Sequence, residues 1–368
     1  MAAEIEFLWY IPNEVTSGHR GDDTVEGWGT LDFSLGIAET AVAHGFAGAL
    51  VGTGWSRPDT FTVCTALAAR TRAFKPLCAT RPGYWQPAQF ACAAATLDRL
   101  SEGRLLVNIV TGRDQTHAYG DFLDDNDARY ARTREFMHLV RRFWTEENVT
   151  FSGDFYRVEN ATCTPRPFQH GGPPLYFGGA SAAAEATAAA EADVQLLWGE
   201  SLALAGERIE RLRRLAAGCD RARPLEFGLR VTTVVRETSA EAWRDAEAKL
   251  ELFRAAPEKR VEANRTGEGS EGLRRIRTMA REGEVLDRCL WTAPAQYATG
   301  AATTWLVGSA DEVAAALVDY VRLGITHFIL SDTPYRQEAA RVGDLIIPRV
   351  RALLAREQGV AAGQPGGL

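Results

Sequence analysis

Stretches that read as strands and stretches that read as helices take turns along nearly the whole chain. Strict alternation of this kind commits a sequence to a parallel sheet whose return connections are helical. Strand patterns cover residues 5–12, 46–52, 74–80, 104–110, 175–178, 194–198, 225–236 and 327–331. Helical patterns cover 31–44, 60–71, 87–100, 129–144, 182–192, 202–217, 240–253, 310–323 and 338–355. Eight strands in this rhythm predict an α/β protein, a closed (β/α)8 TIM barrel with insertions, in one domain over residues 1–355 with a flexible tail over 356–368.

Two stretches break the rhythm. Residues 149–174, rich in Thr, Phe and Pro, read as an added hairpin with a loop, and 254–304 as a charged, irregular segment with a helix at 271–282. Loops of that length are commonly lids or binding loops. A parallel barrel places its site at the carboxyl ends of the strands, so Asn13, Thr53, Thr80, Thr111, Gly179, Trp198, Thr232 and Asp332 are expected around one mouth.

The chain has 368 residues and a formal charge of −7, which argues against nucleic acid or an acidic membrane as a partner. An anionic ligand would need arginines gathered by the fold. The start, MAAEIEFLWYIP, has neither the basic opening nor the cleavage site of a signal peptide, and no apolar run is long enough to span a bilayer, so a cytoplasmic protein is expected. Cys64, Cys78, Cys92, Cys163, Cys219 and Cys289 form no C-x-x-C pair, and the histidines form no H-E-x-x-H, so neither a metal site nor a disulfide framework is expected.

Two motifs carry chemistry. In RLLVNIVTG, Asn108 interrupts an aliphatic run of the kind that forms a strand buried on both faces. It is either tied to a neighbouring strand or loop, or placed to hydrogen-bond a ligand at the strand's carboxyl end. In PLYFGGASAAAEA, Gly178, Gly179 and Ser181 join a strand to a helix. That turn is either a phosphate cradle at the positive end of a helix or a tight turn with a serine cap. GTGWSR places Arg57 where a dinucleotide fingerprint needs its third glycine, DDND at residues 124–127 reads as a loop capping the next helix, and no G-x-S-x-G elbow appears. Trp9, Tyr10, Trp55, Tyr84, Trp85 and Trp198 lie near the expected mouth, either as packing or as walls for a flat aromatic cofactor with a phosphate tail.

With those residues in view the chain resembles the luciferase-like flavin-dependent monooxygenases, most of all the alkanesulfonate monooxygenase branch. The likeness rests on ATLDRLSEGRLLVNIVTG, the DARYARTREF helix start, PPLYFGGAS, the WGE at residues 198–200, FGLRVTTVVRETSAEAW and ARVGDLIIP. It implies an enzyme that receives FMN as FMNH2 from a separate NAD(P)H:flavin reductase, uses O2, and works as a homodimer or homotetramer. It implies cofactor contacts from Thr53, Thr80, Asn108, Thr111, Tyr130, Gly178, Gly179, Ala180 and Ser181.

The departures from the branch cluster on one rim. Arg230 is kept, but Thr232 stands where the sulfonate enzymes have a histidine, Arg57 where they have a cysteine, Asn13 or Glu14 where they have a histidine, and Thr333 where they have a tyrosine. Their mobile-loop arginine has no counterpart in QYATGAATTWLVG. Threonine is no general base near neutral pH. The expectation is therefore an oxygenase acting on a small organic, organosulfur or sulfonate-like substrate. Arg230 and then Arg57 would partner an anion or the activated oxygen, Asn13 would stand nearby, and Trp198 and Trp55 would wall a dry site. The alternatives are a deazaflavin (coenzyme F420) hydride-transfer enzyme on the same fold and a flavin-binding protein without turnover.

Overall fold

The computed structural model describes residues 4–17, 21–55, 57–112, 116–255, 270–297 and 303–362. Strands β1 (Glu6–Ile11), β2 (Gly48–Val51), β3 (Lys75–Thr80) and β4 (Leu106–Ile109) are followed by a hairpin, β5 (Val149–Ser152) and β6 (Arg157–Ala161). Then come β7 (Leu175–Gly178), β8 (Val194–Trp198), β9 (Glu226–Arg236), the short β10 (Val285–Leu286) and β11 (Leu290–Trp291), β12 (Trp305–Ser309) and β13 (Ile325–Ser331). The helices are α1 (Leu31–Ala43), α2 (Thr60–Arg70), α3 (Pro87–Leu100), α4 (Asn126–Thr145), α5 (Ala182–Glu191), α6 (Leu202–Ala217), α7 (Ser239–Ala255), α8 (Glu271–Met279), α9 (Ala310–Arg322) and α10 (Tyr335–Ala362).

All the pairings around β13, β1, β2, β3, β4, β7, β8 and β9 are parallel, and β9 pairs with both β8 and β13, so the sheet closes into the expected eight-stranded barrel. Closure leaves these strands without an edge there. Successive side chains alternate between lumen and helix layer. Phe7, Trp9, Val107, Ile109, Phe177 and Leu229 point outward into the main core under the helices. Leu8, Leu77, Leu106, Tyr176, Leu196 and Ile329 point inward and form a separate apolar plug. Caps fix where helices begin: Asp59 accepts from Thr62 N at 2.8 Å, Asp125 of the DDND loop from Ala128 N at 2.7 Å, and Ser309 with Glu312 forms a capping box.

Four expectations are corrected. Residues 305–309, to which the alternation assigns no element, form a strand, β12; it runs parallel to the second half of β9 outside the barrel, with β11 and β10 beyond it. The run is short, contains Gly308, and finds its partner only because β9 is eleven residues long, enough to leave the barrel and continue. For the same reason Thr232 is no strand-end residue: it is fully buried and pairs with Ser331 on one side and Trp305 on the other. Asp332 follows β13 but is buried in an ion pair with Lys249 of α7 at 2.8 Å. The closing helix runs on to Ala362, through Pro348, past the expected end at residue 355; residues 363–368 of the expected tail lie outside the described ones.

The barrel floor is polar. Tyr176 Oη donates to Glu6 at 3.1 Å and lies 3.0 Å from His327 Nδ1, while His327 Nε2 meets Glu226 at 2.8 Å. Burial by itself would raise the Glu6 carboxyl, but His327 and Lys75 outweigh it and hold it at about 2. Burial would lower the His327 imidazole, but Glu226 and Glu6 outweigh it and raise it. Stability contributed by Glu6 is therefore complete above its ordinary 4.5 and disappears as pH falls toward about 2. That of His327 is complete below 6.5 and disappears as pH rises through its raised value. In thermal melts across pH, His327→Gln is expected to flatten the alkaline limb of the profile and Glu6→Gln the acid limb; two profiles unchanged from wild type would remove the floor cluster from this account.

Candidate active site

Above the plug, toward the carboxyl ends, the inward parity passes to Tyr10, Ala79, Asn108, Gly178, Trp198 and Arg230. Asn108 follows Leu106 on the luminal face, and among the described residues its side chain makes no hydrogen bond. Among the described residues, no strand or loop ties the amide, as the first of the two sequence alternatives would have it. At Gly178 an added Cβ would meet nothing within 4 Å, so the lumen is open next to it. Thr80 ends β3 on the parity of Cys78, which faces outward, and Thr53 is half-buried beyond β2. Thr111 Oγ1 lies 3.0 Å from Thr133 Oγ1, which ties the turn after β4 to α4.

The glycine-serine turn is built from several elements. Ser181 caps α5 by accepting from Ala184 N at 3.2 Å. Tyr130 of α4 brings its hydroxyl to the same place, 3.2 Å from where a Cβ on Gly179 would be, and burial is what raises this phenol above its ordinary value. Gly179 sits at φ +154°, where an added Cβ would come within 2.6 Å of the Ala184 methyl and 3.2 Å of Tyr130 Oη. Its carbonyl accepts from Arg208 Nη2 at 2.7 Å and Gln195 Nε2 at 3.1 Å, both behind the sheet. Because the peptide is planar and trans, anchoring that carbonyl outward turns the Ala180 N–H the opposite way, toward the lumen. Gly178, Gly179, Ala180 and Ser181 are all partly exposed there.

Arg208 is the anchor of this arrangement. It is 2% exposed and also reaches Glu185 at 3.1 Å and Glu200 at 3.0 Å, so the glycine carbonyl is held by a guanidinium whose charge is matched inside the protein. Burial would raise the Glu185 carboxyl, but Arg211 and Arg208 outweigh it and keep it lowered. Glu200, in the WGE motif, also accepts from Arg275 of α8 at 3.1 Å. α8 backs Trp198, whose ring lies 3.0 Å from where a Cβ on Gly272 would be. Residues of the expected lid thus meet the mouth directly through α8; residues 256–269 lie outside the described ones.

On the opposite side, Arg230 Nη1 donates to Ser331 Oγ at 2.9 Å, and its guanidinium carbon stands 4.6 Å from the centre of the Tyr10 ring. Arg57 is ion-paired with Glu14 at 2.8 Å, donates to Pro12 O at 3.1 Å and comes up beside the Tyr10 hydroxyl, the two lying 3.0 Å and 2.9 Å from where a Cβ on Gly52 would be. Asn13, at φ 53°, donates both amide hydrogens to backbone carbonyls, of Gly52 at 2.9 Å and Pro58 at 2.8 Å, and so pins the loops after β1 and β2. Arg230 and Arg57, chosen separately from the sequence, therefore meet across a residue that had been read only as a possible wall. Tyr10 could have been found by alternation, since it continues the Glu6 and Leu8 parity to the mouth.

A closed parallel barrel whose strand ends surround an open lumen with a donor-rich turn on one side defines a (β/α)8 enzyme with its site at the carboxyl face. The chain matches the family model for luciferase-like monooxygenases over residues 5–327, and it belongs to that family, an enzyme of the flavin-dependent monooxygenase class. Among solved structures it is similar to the EDTA monooxygenase EmoA of Chelativorans sp. BNC1, at 16% identity and TM-score 0.77 over 95% of this chain and 94% of that one. It is also similar to the oxygenating constituent of the 3,6-diketocamphane monooxygenase of Pseudomonas putida, solved with FMN, at 16% identity and TM-score 0.66 over 95% and 99% of the two chains. A coenzyme F420 dependent tetrahydromethanopterin reductase from Methanopyrus kandleri shares the fold at 16% identity and TM-score 0.68, over 95% and 100%.

The two glycines of the turn are expected to respond oppositely to the same substitution. Gly179→Ala forces a methyl into Ala184 at a backbone angle that suits glycine, and should cost about 2 kcal/mol or more in urea unfolding. Gly178→Ala meets open space and should stay within about 1 kcal/mol of wild type. Equal losses at both positions would mean that the lumen beside Gly178 is filled.

Proposed function

We propose that the protein is the oxygenating half of a two-component system. In this reading it takes FMNH2 from a separate NAD(P)H:flavin reductase and uses O2 to oxygenate a small organic anion, with organosulfur and sulfonate-like compounds as candidates. The observation that carries the reading is the pairing, in one lumen, of a luminal amide with no hydrogen bond among the described residues, Asn108, and an open donor-rich turn, 178–181. A phosphorylated ring system needs both: donors for the phosphate and a polar contact for the ring, with apolar walls between.

Tyr130, Ser181 and the backbone N–H of Ala180 would hold the phosphate, at the positive end of α5 and with no side chain at Gly178 in the way. Asn108 would bond a polar edge of the ring, and Thr53 and Thr111 would border it at neighbouring strand ends. Reduced FMN, when bound, supplies the electrons that activate O2. The chain's part is to hold the ring, keep water out and present the substrate. Trp198 under α8 provides the apolar cover that a water-poor site requires. Arg230 and Arg57 would bind the anionic end of the substrate. Thr232, fully buried within the sheet, takes no part in proton transfer.

Anaerobic titration separates this reading from its rivals. FMNH2 is expected to bind more tightly than oxidised FMN, and oxygen consumption by the complex should become coupled to product when substrate is added. Binding of a deazaflavin with no oxygen requirement would replace the oxygenase by a hydride-transfer enzyme. Asn108→Leu, which keeps the branched heavy-atom shape and removes the amide, should weaken FMNH2 about tenfold while leaving the melting temperature in place. An affinity unchanged in that variant would detach Asn108 from the cofactor.

A further inference from the structure

We infer that the quarter of the mouth between β1 and β4 is a subsite for a flat, ring-containing organic anion, in which Arg57 and Tyr10 select for negative charge and Trp55 and Tyr119 select for a ring. The inference rests on the mouth being the reaction site and narrows the substrate class taken there.

Charge is the first observation. Arg230 comes from β9, Arg57 from the loop after β2 and Arg81 from the end of β3, and all three converge on this quarter. Arg230 lies over the face of Tyr10 at 4.6 Å, and Arg57 stands beside its hydroxyl, both groups about 3 Å from where a Cβ on Gly52 would be. Arg81, 4% exposed, has its guanidinium carbon 5.9 Å from the centre of the Tyr84 ring and packs against Gly112. Among the described residues, Glu14 here pairs with Arg57 at 2.8 Å and Asp121 is taken by Arg132 at 2.6 Å. In a chain whose formal charge is −7, gathering three guanidinium groups in one place is the work of the fold and runs against the average. A guanidinium can only donate, so the Tyr10 hydroxyl beside Arg57 keeps its own proton for a ligand's oxyanion.

The second observation is independent of charge. The segment after β4 folds back so that Tyr119 donates its hydroxyl to Gly54 O at 3.0 Å, stacks on Tyr84 at 3.8 Å between ring centres, and meets Trp55 edge-on at 4.9 Å. Trp55 is 46% exposed and Tyr119 40%. Gly54, which carries the accepting carbonyl, packs against Arg57, whose Nε is 3.2 Å from the position of an added Cβ. Rings and guanidinium are thus neighbours through a single peptide. Aromatic side chains fixed by a hydrogen bond and a stack have given up their freedom before a ligand arrives, so a planar ligand gains the stacking with little ordering cost. An aliphatic sulfonate would satisfy the arginines and leave the rings wet. A neutral ring would do the reverse.

The test is calorimetric titration of the full chain, with and without FMN, against naphthalene sulfonate, octane sulfonate and naphthol. Naphthalene sulfonate should bind about tenfold tighter than either of the others. Arg57→Met should bring it down to the naphthol level, with recovery in Arg57→Lys, and Trp55→Ala should bring it down to the octane sulfonate level. FMN affinity should remain within about twofold of wild type in all three variants. Equal binding of the three probes overturns the subsite, and so does a Trp55→Ala protein that loses FMN and naphthalene sulfonate in parallel. If FMN fails to bind wild type while the probe order holds, the cofactor reading falls and the subsite stands.

Discussion

Closure of the parallel sheet through β9 is the constraint on which everything else depends. β9 bonds β8 on one side and β13 on the other, so the lumen becomes a fixed volume and every second residue of eight strands must share it. The lower part of that volume is filled by Leu8, Leu77, Leu106 and their neighbours, and sealed beneath by the Glu6, Tyr176 and His327 cluster. What is left open is the upper part. There the inward positions hold glycine, alanine and asparagine on the β3, β4 and β7 side, and tryptophan, arginine and tyrosine on β8, β9 and β1.

That division gives the mouth two chemically different halves. One offers neutral donors: the Asn108 amide, the Tyr130 and Ser181 hydroxyls and the N–H turned inward when Arg208 anchors the Gly179 carbonyl. The other offers guanidinium groups ordered by Glu14, Tyr10 and Ser331. The positive charge of Arg208 stays behind the sheet, matched by Glu185 and Glu200, so it positions the turn without adding a free cation to the lumen. Buried pairs of this kind lend little net stability but fix geometry.

Much of the fold could be read from periodicity, because a strand buried on both faces and an amphipathic helix leave different patterns. Helices 87–100 and 202–217 and strands 175–178 and 194–198 are found at the expected limits. β12 escaped because a five-residue run containing Gly308 carries too little pattern to be separated from the irregular segment before it. The turn at residues 178–181 was legible as a strand-to-helix junction, since two glycines and a serine mark it in the sequence. Arg208 was not legible as its anchor, because nothing in a helix of charged residues marks which arginine turns inward.

The sequence by itself determined the alternation, the count of barrel strands, the turn at residues 178–181 and the two arginines worth watching. Those properties are local, set by hydrophobic period, glycine and caps. Only the tertiary structure decided that Tyr10 lies between Arg57 and Arg230, that Asn108 makes no hydrogen bond among the described residues, and that Asp332 and Thr232 are buried. The reason is that a closed barrel sets the height of each inward residue by the stagger between strands far apart in the chain, and no single segment carries that stagger.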